Sequence, residues 1–419
     1  MNRCFAAADI LLPDMTKTDA KKWAVVACDQ FTSEPEYWEN AEREVGDAPS
    51  TLRLILPEVY LSETEARISK INKTMNEYLA GILAEHKDSM IYVERTQSDG
   101  DVRRGVVLAV DLDAYDYKKG ANALIRATEA TVVERIPPRV AIRRGAAIEL
   151  PHVMMLIDDP EFSVIEPLTG KDGNIAYDTD LMLGGGHIKG RFLSCEEKKS
   201  LSAALDKLIS PEKMAARYGE EGLAPLLFAV GDGNHSLASA KAAYEEIKAR
   251  IGEDAASTHP ARYALVEVVN VHDASLKFEP IYRVMFGVDP QDVLAELSKY
   301  VSTLNGTADA QAIRYVSADT EGTLTVASPI RQLTVGTLQD FIDEYIKSHK
   351  GAEVDYIHGI TSTETLARRE GAIGFIFDGM GKADLFKTVI FDGALPRKTF
   401  SMGHAEDKRY YLEARKITL

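Results

Sequence analysis

Between Glu63 and Ala84 the apolar positions Ala66, Ile68, Ile71, Met75, Leu79 and Ile82 recur at helical spacing, so an amphipathic helix is expected there. The period then changes. Met90 to Arg95 and Arg104 to Leu112 alternate or run apolar around Ser98-Asp99-Gly100, which predicts a β-hairpin. Asn122 to Ile136 reads as a helix stopped by Pro137-Pro138, because proline lacks the helical donor and restricts its predecessor. Val153 to Ile157 reads as a short buried strand closed by Asp158-Asp159-Pro160, with helices following at Ser200 to Ile209 and Pro211 to Tyr218. The longest β-rich run is Tyr263 to Val271, where Val266, Val268, Val269 and Val271 suit a pleated surface.

From Pro290 to Lys347 the pattern is helix, short strand (Thr323 to Ala327) and second helix (Val335 to Lys347). Ala372 to Phe377 then reads as strand and Lys382 to Phe391 as helix, before a basic closing stretch. Strands interleaved with helices predict an α/β to α+β fold, a mixed sheet with flanking helices. No repeat, low-complexity tract or Pro/Ser-rich linker marks a boundary. Rhythm alone suggests a main α/β body over 1–285, a small inserted α/β unit over 286–346 and a C-terminal segment over 347–419 that returns to the body.

One stretch carries more than architecture. LLFAVGDGNHSLASAKAAYEEIKAR, from Leu226 to Arg250, is an apolar strand, a tight turn and a helix start. Its helix places Leu237, Ala240, Tyr244 and Ile247 on one face. A helix that opens directly after such a turn directs backbone N–H groups and the positive end of its dipole at whatever lies above it, which suits anions. Gly231 and Gly233 permit close backbone approach, and Asn234 or Ser236 is expected to cap the helix. Asp232 suits a Mg²⁺ ion or a proton, and His235 suits a phosphate or general-base role. The plainer account is that Asp232 caps a turn and His235 merely begins the helix. Position favours a site, since open α/β sheets hold ligands at strand carboxyl ends.

The net charge of −16 argues against nucleic acid as the main partner, and no helix-turn-helix signal is present. Cys4, Cys28 and Cys195 lie too far apart for a C-x-x-C pair, so reduced thiols are expected. No apolar run is long enough for a membrane span, and the first residues do not read as a signal peptide. The expectation is a cytoplasmic protein with a small anionic or phosphorylated ligand, and a homodimer is left open.

The turn resembles the Asp-Gly-His-His-Arg signature of a family of bacterial and archaeal proteins without an assigned activity, often labelled ParB-like. Through it the chain is similar to the ParB/sulfiredoxin superfamily, which includes free-serine kinases. Asp232, Gly233 and His235 match residue by residue, while Asn234 and Ser236 stand where the signature has His and Arg. The resemblance extends to CDQFTSEPEYW, Arg103-Arg104-Gly105, RATEATVVERIPPR, FEPIYR and LPRKTFSMG. In FEPIYR, Tyr282 stands where the family usually has His, and Arg283 is kept. The resemblance implies a ParB/sulfiredoxin-like core elaborated by extra segments, and nucleotide phosphates held at the turn. The sulfiredoxin cysteine is absent, which argues against sulfinic-acid reduction.

Other constellations bear on this site. Gly184-Gly185-Gly186 beside His187, Lys189 and Arg191 reads either as a lid supplying the positive charge that Ser236 does not, or as a mobile surface loop. Glu149, His152, Asp158 and Asp159 bracket one strand whose ends are roughly 20 Å apart at about 3.3 Å per residue, so one site cannot use all four. Glu149 with His152 is favoured as the functional half, and Asp158-Asp159-Pro160 as a turn. Arg126, Arg135, Arg139, Arg143 and Arg144 are expected mostly to form salt bridges, with Pro137-Pro138 breaking their helical alignment. Asp29 ends the apolar WAVVAC run and reads first as a cap. Gly379-Met380-Gly381-Lys382 lacks the spacing of a P-loop.

The first functional expectation is a nucleotide-binding enzyme that transfers or hydrolyses a phosphoryl group, using ATP, ADP or CTP with Mg²⁺. Gly231, Gly233, Asn234 and Ser236 would hold phosphates, with Lys189, Arg191 or Lys398 offsetting charge. The alternative is a nucleotide or metabolite sensor without turnover.

Overall fold

A computed structural model describes residues 3–129 and 136–419. They form two compact units: Lys277–Met402 with the short stretch at Thr128 make one, and the remainder, including Gly403–Leu419, makes the other. The second unit is therefore wider than the insertion expected over 286–346. Its flanking strands at Phe278–Phe286 and Ala372–Ile376 pair with each other and cannot be separated from it.

The first unit is built on a ten-stranded sheet among the described residues. In chain order its strands are β1 (Phe5–Ala6), β2 (Ile91–Thr96), β3 (Val102–Asp111), β4 (Tyr115–Asp116), β5 (Ile125–Ala127), β6 (Met154–Ile157), β7 (Ile175–Asp180), β8 (His187–Phe192), β9 (Phe228–Asp232) and β10 (Tyr263–Asn270). They lie in the order β7-β8-β2-β3-β10-β6-β9-β5-β4, with β1 alongside β3. The sheet is mixed, because β6 runs parallel to β10 but antiparallel to β9. Alternation along β3 sends Val106, Leu108 and Val110 into one core and Val107 and Ala109 into the other, so both faces are covered. A sheet covered on both faces explains why β10 is buried from Ala264 to Asn270.

The mixed α/β architecture is as expected, and the hairpin, the helix at Thr64–Gly81 and the helix at Pro211–Tyr218 fall where the periodicity places them. The 122–136 region differs. Ile125–Ala127 is a strand, 130–135 lies outside the described residues, and a helix α1 spans Ile136–Arg144. The two prolines thus do not close a helix, because the helix runs on through them to Arg144. Arg139 and Arg143 consequently share a continuous helix, and Arg135 lies outside the described residues.

The closing segment crosses the first unit. Tyr410–Tyr411 pairs with Val25–Val26, and Ala414–Lys416 lies between Ala8–Pro13 and Ile148–Glu149 in a small sheet. Directly before these pairings the buried guanidinium of Arg409 donates to Glu267 of β10 and to Glu413.

The second unit orders its strands as Glu321–Val326, Gln311–Ser317, Ala372–Ile376, Phe278–Phe286 and Glu353–His358. The strand at Gln311–Ser317 has no counterpart in the sequence-based expectation. Arg283, fully buried, donates to Gln339 and to the carbonyls of Ile281, Arg397 and Lys398, so it anchors the 397–398 turn.

Candidate functional site

β9 ends at Asp232 and helix α2 (Asn234–Ile251) starts two residues later. Gly233 sits between them at φ +80°, a conformation that a side chain resists, and an added Cβ would stand 3.1 Å from Val153 Cα. Gly231 is constrained by contact, since a Cβ there would meet Leu156 at 2.7 Å. The helix has no side-chain cap, so neither Asn234 nor Ser236 does the expected capping. Leu237, Ala240 and Tyr244 face the core as their spacing predicts.

Ser236 turns instead to His152. Its Oγ lies 2.8 Å from His152 Nε2, and His152 Nδ1 lies 2.8 Å from the Tyr411 hydroxyl. Tyr411 donates to Cys28 Sγ at 3.2 Å and accepts from the Cys28 N–H at 3.2 Å. With that hydroxyl donating to sulfur, the Tyr411 oxygen accepts the His152 Nδ1–H, and Nε2 is the nitrogen that accepts from Ser236. The Asp29 carboxylate stands 3.7 Å from Nε2. His152 is 9% exposed. Burial, followed by the Asp29 charge, pushes the Cys28 thiol up to about 12. Burial likewise raises the Tyr411 phenol well above its ordinary value, so both groups stay neutral at physiological pH.

Asp232 takes a different partner. Lys408 Nζ lies 3.0 Å from its Oδ2, and the Gly233 N–H donates to Oδ1 at 2.9 Å. Burial works to raise the Asp232 pKa, but Lys408 outweighs it, helped by the Gly233 N–H, and holds the carboxyl below its ordinary value. A single carboxylate already matched by an ammonium does not fit a resident Mg²⁺ site, which needs several oxygen ligands. Among the described residues, three ligand-type side chains come within 4.8 Å of one another at Asp292, Glu296 and His349, in the second unit.

A cavity of about 180 Å³ opens beside this cluster. Cys28, His152, Ser236 and Tyr411 border it, with the paired Glu58 and Arg139 and with Arg143, and side chains such as Leu54, Ile55, Met75 and Ile148 supply apolar wall. Glu149 also borders it but is committed elsewhere. It accepts from Arg415 Nε at 2.7 Å and the Leu265 N–H at 2.9 Å, and pairs with Arg143. Burial works to raise its pKa, and Arg415 and Arg143 reverse that, so Glu149 is held ionised as a structural anchor. Glu149 and His152, expected to act together, therefore have separate partners: Glu149 is held by Arg415 and Arg143, and His152 by Ser236 and Tyr411.

Within the first unit, the candidates of the Gly184 loop and β8 are placed apart from the turn. His187, Lys189 and Arg191 are on β8, five strands from β9 in the sheet order. His187 is held between Asp178 (2.9 Å) and Asp180 (2.8 Å), Lys189 faces Asp178 at 3.6 Å, and Arg191 pairs with Glu197 at 2.9 Å. The glycines before them form the tight turn of the β7-β8 hairpin. A Cβ on Gly185 would meet the Tyr410 hydroxyl at 2.4 Å, and one on Gly186 would meet the Thr96 carbonyl at 2.3 Å. That packing contradicts a lid. Lys398 is an exposed residue of the second unit. Asp159 accepts from the Ser163 and Val164 N–H groups, as a turn residue should, and Arg139 pairs with Glu58.

Lys408 and Tyr411 were missed by sequence reasoning. They belong to the basic closing stretch, and no local spacing links residue 411 to residue 152. The strand-end Asp29 was a faint signal.

Residues 13–416 match the family described as "Protein of unknown function (DUF1015)". No curated protein matches the sequence. Similar solved structures include a free serine kinase in complex with AMP, 11% identical, with a TM-score of 0.35 over 75% of this chain and 92% of that one. A conserved hypothetical protein from Pyrococcus furiosus is 11% identical with a TM-score of 0.34 over 74% of this chain and 95% of that one. SbnI with C-terminal truncation from Staphylococcus aureus is 11% identical, with a TM-score of 0.34 over 75% and 87%. No helix among the described residues is long and apolar enough to cross a membrane.

Proposed function

The chain belongs to the DUF1015 family, and we propose from its site that it binds a small phosphorylated ligand, a nucleotide, at the start of α2 and transfers or hydrolyses a phosphoryl group there. The observation that carries this reading is the Ser236-His152 hydrogen bond at the first turn of an 18-residue helix. It puts a proton acceptor beside an anion-favouring helix terminus. His152 Nε2 takes the proton of the attacking hydroxyl, and Tyr411 holds the imidazole in the tautomer that can do so. Lys408 supplies positive charge at the turn. ParB-like phosphate binding through a signature Arg is not part of the reading, because Ser236 stands in that place.

The second reading is ligand binding without turnover. It is favoured by the Lys408-Asp232 pair, which leaves the ammonium partly neutralised. A thermal-shift panel of ATP, ADP and CTP, with and without Mg²⁺, tests both. A nucleotide at about 100 times its Kd adds about 2.7 kcal/mol of stability. Stabilisation of the wild type but not of His152→Gln, with product formed, supports phosphoryl transfer. Stabilisation without product supports the binding protein, and no stabilisation by any nucleotide rejects both.

A further inference from the structure

We propose that Ser236 is a nucleophile that accepts a short acyl group, with His152 as its base and the adjoining apolar cavity as the acyl-chain pocket. Three observations converge, none of which depends on nucleotide binding. The first is the nucleophile-base contact of 2.8 Å, with the base in turn oriented by Tyr411 at 2.8 Å. Hydroxyl, base and orienting group in hydrogen-bonded series is the arrangement by which a serine, otherwise a weak nucleophile, is activated. The second is the composition of the cavity. Ser236 and His152 border it, and Leu54, Ile55, Met75 and Ile148 line it within a volume of about 180 Å³, beside the mutually paired Glu58-Arg139 and Glu149-Arg143. The apolar part of that wall suits a short aliphatic chain. The third is electrostatic. Ser236 is the third residue of α2, where the positive end of the helix dipole favours developing negative charge. Asp29, 3.7 Å from Nε2, faces the imidazolium that forms.

The step balances without a cofactor. The Ser236 Oγ attacks the ester carbonyl carbon, the O–C bond forms, and the hydroxyl proton passes to His152 Nε2. The carbonyl re-forms as the bond to the leaving alcohol breaks, and Nε2 gives that alcohol its proton. Water, deprotonated by His152, then attacks the acyl-serine, releases a carboxylic acid and returns Ser236 to its starting state.

The test is to treat the full chain with an alkyl fluorophosphonate, which forms a stable Ser Oγ–P bond with loss of fluoride, and to map the adduct by mass spectrometry. The same preparations are assayed for hydrolysis of p-nitrophenyl butyrate. The expected result is one adduct, on Ser236, absent in Ser236→Ala and formed about 10²-fold or more slowly in His152→Gln. Ester hydrolysis falls in parallel, while both variants keep a cooperative melting transition. No adduct on Ser236, or an adduct whose rate ignores His152→Gln, overturns the proposal. Labelling without ester hydrolysis overturns the acyl assignment. A nucleotide thermal shift can fail or succeed independently of these outcomes, so the two proposals are separable.

Discussion

His152 Nε2 lies 2.8 Å from Ser236 Oγ although 84 positions separate the two residues in the chain. The sheet brings them together. β6 and β9 pair antiparallel with Met154 opposite Asp232, so the residue leading into one strand meets the helix that leaves the other. Removing the hydroxyl leaves a buried ring nitrogen without this partner. Ser236→Ala is expected to remain folded and to lose about 1 kcal/mol in urea denaturation. A loss of several kcal/mol would mean that the hydroxyl is chiefly a structural element.

Glu149 is the anchor of the closing segment. Its carboxylate, 7% exposed, satisfies Arg415, Arg143 and the Leu265 N–H together. Glu149→Ala strands two guanidinium groups, one of them buried, and is expected to cost about 3–5 kcal/mol. Chemical denaturation reads this directly, and a loss under 1 kcal/mol would contradict the anchor role.

Gly233 holds the turn by backbone conformation. Gly233→Ala adds a Cβ at φ +80° and against Val153 at 3.1 Å, so about 1–2 kcal/mol of stability should be lost. Gly219, also at positive φ but with nothing within 4 Å of an added Cβ, is the comparison: Gly219→Ala should lose less.

The Asp232-Lys408 pair gives a signed pH dependence. The folded carboxyl sits below its ordinary value, so its contribution is fully present above the unfolded pKa, about 4, and is lost as pH falls through the lower folded value. Lys408→Met removes the charge that outweighs burial. The variant's deficit relative to wild type should be largest near neutrality and shrink below about pH 4. A deficit that is the same at pH 7 and pH 3 would show that the pair is not electrostatically linked to folding.

Thiol reactivity follows burial. Cys195 is exposed, whereas Cys28 is inside the cluster with its thiol raised to about 12 and Cys4 is buried with its thiol also raised to about 12. Iodoacetamide at pH 8 should modify Cys195 first by a wide margin, read by peptide mapping. Early modification of Cys28 would contradict the neutral Tyr411-Cys28 contact.

Local patterns carried much of the fold. The helix at Thr64–Gly81 and the β2-β3 hairpin follow from period alone, and the β9-turn-α2 unit follows from an apolar run stopped by two glycines. Pro137-Pro138 misled because a proline pair reads as a helix stop, whereas the helix continues from Ile136 through both prolines to Arg144. The strand at Gln311–Ser317 was missed, its apolar positions being interrupted by Arg314. At the site, the turn and His152 were legible, but their connection was not. It depends on strand register, and on Tyr411 and Lys408 returning from the far end of the chain. The pairing of the charged candidates around Lys189 was hidden for a related reason, since a sequence shows charges and not the carboxylates already facing them.

The most direct test of the central claim is amide hydrogen exchange, read by mass spectrometry, on the full chain with and without saturating ADP and ATP. The account predicts slowed exchange in peptides covering 231–240 and 150–154, lost in His152→Gln. Protection confined to segments outside these, or unchanged by that substitution, would place the ligand elsewhere and contradict the account.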